Sequence, residues 1–141
     1  MRKRTQAREH ILQILYQREI NPEPLEDLLH SFWEEHNDAN GEVRSFAQEL
    51  VKGTLEHLNE LDEVIERYTE NWQLHRMAAV DRNILRFATY ELLFREDIPP
   101  KVTINEAVNI AKKYSNEDSG KFVNGVLDKI NHTEKSRSSS S

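Results

Sequence analysis

The sequence predicts an all-α domain of about six or seven helices. Apolar residues recur at i, i+3, i+4 and i+7 through most of the chain, the period of a helix with one buried face. No alternating apolar–polar run of useful length is present, so no strand is expected. The prolines fall where helices begin or end, outside the periodic stretches.

Taken in order, the first helix starts near Thr5, with Ala7, Ile11, Ile14 and Leu15 on one face and Leu12 and Tyr16 beside it. In NPEPLEDLLHSFW two prolines precede Leu25, Leu28, Leu29 and Phe32, and a second helix begins there. Asp38 to Gly41 is polar and interrupts the pattern. A long amphipathic stretch then runs from Val43, Phe46, Ala47, Leu50 and Val51 through Leu55, Leu58, Leu61, Val64, Ile65 and Tyr68. Gly53 marks either a bend in it or a tolerated glycine, at a cost of about 1 kcal/mol. In DRNILRFATYELLF a wide apolar face forms from Ile84, Leu85, Ala88 and Leu92. DIPPK ends that helix, because a residue before proline is pushed out of the α region.

TINE, residues 103–106, fits a capping box in which Thr103 bonds forward and Glu106 bonds back. Ile104, Ala107, Val108 and Ala111 carry the stripe that follows. In EDSGKFVNGVLDKI, residues 117–130, the last stripe comprises Val123, Val126, Leu127 and Ile130, with Asp118 or Ser119 as the cap. NHTEKSRSSSS has nothing to bury and reads as disordered. The domain is therefore expected over residues 1–131, with a serine-rich tail over 132–141.

With 141 residues the chain is large enough to bury a core without metal or disulfide staples. It has no cysteine, which excludes disulfides, thiolate zinc sites and cysteine nucleophiles. Four glycines, at 41, 53, 120 and 125, make neither a phosphate loop nor a dinucleotide fingerprint. Neither His-Glu-x-x-His nor Glu-x-x-His occurs, and Asp27 with His30 is one isolated pair read as helix surface. No catalytic residue, metal site or cofactor is expected. The basic N-terminus leads into no apolar segment, and no run approaches the roughly 20 apolar residues of a membrane span. A cytoplasmic protein, not an enzyme, is the expectation.

Charge is distributed unevenly. The total is −6, yet residues 1–8 (MRKRTQAR) hold Arg2, Lys3, Arg4 and Arg8 without an acid, leaving −10 on the other 133 residues. Such an arm either is a solvated terminus or attracts phosphates. Phe122 lies about a quarter-turn from the centre of the last buried stripe, beside Lys121. It reads as edge-of-core packing or as a platform for an unpaired base. Asp118 reads as a cap or as a group reaching a base edge, and Asn124 serves the second purpose too. Lys112, Lys113, Lys121 and Lys129 keep this end of the chain locally basic.

VDRNILRFATYELLFREDIPPKVTINEAVNIAKKYSNEDSGKFVNGVLDKI, residues 80–130, closely resembles the signature half of the bacterial NusB antitermination factor family. AREHILQILYQREI, residues 7–20, resembles that family's first helix, and residues 21–79 match in helix pattern. The resemblance implies two small helical bundles. It implies non-enzymatic binding of boxA RNA in ribosomal RNA leader transcripts, pairing with NusE (a small-subunit ribosomal protein), and entry into the RNA polymerase elongation complex. Monomers and homodimers are both implied. Carried over residue by residue, it assigns RNA binding to Arg2, Lys3, Arg4, Arg8, Glu117, Asp118, Lys121, Phe122 and Asn124, with arm and motif lying together. It assigns the partner-facing surface to Tyr16, Asp81, Arg82, Arg86 and Glu91.

The same fold fronts some ribosomal RNA cytosine methyltransferases, but the cysteine-free chain holds no catalytic domain of that kind. A helical protein–protein adaptor without specific RNA binding is the other reading. An adaptor would ignore the arm and Phe122, whereas an RNA binder would need both.

Overall fold

The structure, a computed structural model, describes residues 3–69 and 73–139. Among them are seven α-helices and no strand: α1 (Lys3–Ile20), α2 (Leu25–Glu35), α3 (Gly41–Glu56), α4 (Leu58–Arg67), α5 (Ala79–Phe94), α6 (Pro100–Tyr114) and α7 (Glu117–Ser139). A 3-10 turn, Leu74–Arg76, precedes α5. The all-α expectation holds. The helices form two small bundles, α1–α3 and α4–α7, and α5 packs against both. Asn83, Ile84, Leu85, Phe87, Ala88 and Thr89 are accordingly all buried, around most of its circumference. One continuous core joins the bundles through Ile11, Ile14, Leu50, Ile65, Ile110, Leu127 and Ile130.

Several helix boundaries differ from the sequence reading, each for a local reason. The long stretch breaks at His57 (φ −110°, ψ 19°), not at Gly53, which stays inside α3. Gly53 is needed because the Tyr90 ring of α5 lies against its backbone, where a Cβ would collide. The capping box at 103–106 does not form. Pro100 occupies the first turn of α6, where a missing N–H costs nothing. Thr103 is thereby carried into the helix, where its hydroxyl donates to Glu91 at 2.9 Å. Glu106 instead accepts from the Thr5 hydroxyl at 2.7 Å. At α7 the cap is Asn116, whose Oδ1 accepts from the Ser119 N–H at 2.8 Å.

That last helix also runs past residue 131, where the sequence suggests a tail. Glu134 accepts from the Tyr68 hydroxyl at 2.8 Å and pairs with Arg67 at 2.9 Å, tying this part of α7 to the end of α4.

Candidate nucleic-acid interface

Asn116 sets where α7 starts, and so where its first side chains point. A groove of about 410 Å³ opens between this start and the start of α5, with Arg76, Met77, Asp81, Asn116, Asp118 and Phe122 in its walls. Phe122 is half-buried and packs against the core while also lining the groove. The ring thus has the edge-of-core packing expected of it and one side open to the groove. Across from it, the Ser119 hydroxyl donates to Asp81 Oδ2 at 3.3 Å, and the Ser115 and Ser119 hydroxyls lie 2.8 Å apart. Burial holds the Asp81 carboxyl above the usual carboxylate range, against the opposing effect of the Ser119 bond. Asp118, Lys121 and Asn124 are exposed, as is Glu117, which approaches Lys112 at 3.8 Å.

The basic arm is the first turn of α1. Arg2 lies outside the described residues. Lys3 pairs with Glu42 at 3.1 Å, both groups exposed, a contact worth little that a phosphate can displace. Arg4 forms no ion pair among the described residues; its guanidinium lies over the Phe46 ring, 4.5 Å from the centroid. Arg95 approaches the same ring at 5.5 Å and is neutralised by Asp97 at 3.0 Å. Together with Ser45 and Glu49 these residues line a second groove of about 400 Å³.

Arg8 is a correction. It is 1% exposed, and its guanidinium donates twice to Glu91, at 2.8 and 2.7 Å, with Glu106 at 4.0 Å. A buried, doubly bonded arginine is a core ion pair with no surface to offer a phosphate. Glu91, assigned to the partner surface, is corrected by the same contact, being 0% exposed. Arg82 and Arg86 are structural as well. Arg82 donates twice to Glu19 and to the Leu74 and Met77 carbonyls; Arg86 donates twice to Asp62 and once to Glu19. Hydrogen bonds from Arg82 hold the Glu19 carboxyl below its usual range. Of the five partner-side residues, Tyr16 is exposed and Asp81 lines the groove, while the other three tie helices together.

Nor does the structure bring arm and motif into contact. Helices α1 and α5 run antiparallel, because Arg8 meets Glu91 and Glu19 meets Arg82. The arm therefore sits at the Arg95 end of α5 and the Phe122 groove at the Asp81 end, about 20 Å apart along the axis. Between them, α6 lies along α1: Thr5 bonds Glu106, Lys113 bonds Glu9 at 2.9 Å, and the Tyr114 hydroxyl bonds Glu9 at 2.6 Å. The ends are thus linked by the α1–α6 seam, where Lys113 is paired with Glu9. Phe46 and Arg95 escape sequence reading because one belongs to a core stripe and the other to a helix terminus.

The NusB family profile matches residues 5–132. Transcription antitermination protein NusB of Thermodesulfovibrio yellowstonii is 46% identical over 137 residues, 91% of each chain. The protein of that name from Desulfitobacterium hafniense strain DCB-2 is 52% identical over 126 residues, 88% of this chain and 84% of its own. Among solved structures, T. maritima NusB superposes with a TM-score of 0.84 at 44% identity, covering 92% of this chain and 91% of that one. A structure of antitermination factors NusB and NusE in complex with dsRNA gives 0.85 at 34% identity, covering 94% and 98%. A match of this extent, on the helices that build both ends of the interface, places the chain in the NusB family.

Proposed function

We propose that this protein is a transcription antitermination factor that binds boxA-type single-stranded RNA with NusE and joins the elongating RNA polymerase. It acts in the cytoplasm, by binding and without catalysis. The observation that carries the reading is the groove at the α5–α7 junction. There an aromatic ring is presented beside exposed Asp118 and Asn116, the side-chain set that reads an unstacked base. Lys3 and Arg4 supply electrostatic attraction at the far end of the same face. Tyr16 and Asp81 remain for the protein partner. No helix among the described residues is long and apolar enough to cross a membrane.

Fluorescence anisotropy with a labelled boxA-like strand and a scrambled control, with and without NusE, tests this. Preferential binding that tightens with NusE is expected. Phe122→Ala should weaken it by about 1–3 kcal/mol, the worth of one stacked base, with unchanged helicity by circular dichroism. Equal, weak binding to both strands would return the protein to the adaptor reading.

A further inference from the structure

Between the two ends of the interface stands an aromatic residue that neither the sequence reading nor the groove uses. Tyr114, the last residue of α6, is 37% exposed. Its hydroxyl donates to Glu9 at 2.6 Å and receives the Gln13 amide at 3.5 Å, so the ring is pinned at its far edge. Lys113 Nζ bonds Glu9 at 2.9 Å and lies 5.6 Å from the ring centroid. Glu9 itself is 9% exposed, and its charge is spent on these two neighbours rather than on solvent. One turn along α1 from Gln13 is Tyr16, a second exposed aromatic, at 39%. An exposed tyrosine on a helix end would ordinarily be free to rotate. This one is fixed, next to a lysine, on the face joining Arg4 to Phe122.

We propose that Tyr114 is a second stacking platform, seating a base of the same RNA strand partway between Arg4 and Phe122. The inference rests on the RNA-binding reading above. Distance supports it: the roughly 20 Å between the ends is about six nucleotides at 3.4 Å per stacked residue. A strand that spans the two ends passes its middle bases over the face that carries Tyr114. A ring whose hydroxyl is already held loses little freedom when a base lands on it, which favours binding. The hydroxyl stays protonated throughout, since burial and then Glu9 push it up to about 12.

The test uses the full chain and a labelled boxA-like single strand. Tyr114→Ala should weaken binding roughly five- to a hundred-fold, the range for one lost stacking contact. Tyr114→Phe keeps the ring and loses only the bonds to Glu9 and Gln13, so it should bind within about threefold of the parent. Ultraviolet crosslinking to 5-iodouracil placed at successive positions should give an adduct on Tyr114 at an interior position and on Phe122 nearer one end. If the parent binds and Phe122→Ala weakens it, but Tyr114→Ala does not and no Tyr114 adduct forms, this inference fails while the RNA reading stands. Equal losses for Tyr114→Phe and Tyr114→Ala would overturn it as well, making the hydroxyl a structural strut. A parent that binds neither strand preferentially removes both.

Discussion

At the residue scale, the charges that look most like surface are the ones the core depends on. Arg8 and Glu91 are 83 positions apart and meet in the interior, where Thr103 supplies a further bond to the carboxylate. Glu91→Ala would leave Arg8 charged and buried with Glu106 only at 4.0 Å. Urea denaturation should register a loss of about 3–5 kcal/mol, the cost of breaking a buried pair from one side. Nothing in the sequence pairs these two, since a cation in a basic arm and an acid in an amphipathic helix each read as solvated. The half-buried position of Phe122 was legible by contrast, because its angular offset from the stripe is a local property.

His10 gives a second prediction at this scale. It is 8% exposed, with Phe32 and Trp33 of α2 and His36 at the end of that helix ranged around its ring. Burial lowers its folded pKa below the ordinary 6.5, with His36 adding to the effect and Gln13, Glu9 and Asp38 opposing it. A lowered histidine pKa means that the unfolded chain takes the proton first. The stabilisation by neutral His10 is therefore complete above about pH 6.5 and is lost as pH falls through the folded value. Thermal unfolding should show Tm decreasing with acidification across that window. In His10→Phe the decrease should be shallower; an identical slope would assign the pH dependence to other groups.

At the scale of elements, what periodicity dictates was readable and what tertiary contact dictates was not. The stripes in α1, α2, α5, α6 and α7 lie where the 3.6-residue period puts them, since burial of one face is what selects a helix. The capping box failed because Pro99 and Pro100 start α6 four residues earlier, turning Thr103 from a cap into a buried donor to α5. Of the two readings of Gly53 the bend fails and the glycine inside a helix stands; what periodicity could not show is how closely α5 approaches it. Gly53→Ala gains about 1 kcal/mol of helix propensity. The added methyl meets the Tyr90 ring, which is itself stacked toward His57 and Phe94, so the ring cannot simply swing away. Overpacking of this kind costs about 1–3 kcal/mol, and a net loss of stability is expected. Combining it with Tyr90→Ala should recover part of that loss, giving a non-additive double-mutant cycle; strict additivity would mean that the clash is relieved elsewhere.

For the whole molecule, what distinguishes its cations is whether they are buried between helices or exposed on an acidic body. The interior guanidiniums of Arg8, Arg82 and Arg86 are consumed by Glu91, Glu19 and Asp62. Lys3 is held by exposed Glu42, and Arg4 lies over an aromatic face within electrostatic reach of Asp97. The fold thus uses its buried cations to join helices and leaves those of the arm exposed, at the opposite end of α5 from Phe122. Salt dependence separates the two ends. Each phosphate contact on a single strand contributes about 0.7 to the slope of log affinity against log salt. Replacing Lys3 and Arg4 with glutamine should flatten that slope by about 1.4 if both touch phosphate. Phe122→Ala should lower affinity at every salt concentration and leave the slope alone. Because both arm residues are exposed, the melting temperature of the double variant should stay close to that of the parent. An unchanged slope in that variant would confine RNA recognition to the α5–α7 groove and leave the arm as a solvated helix start.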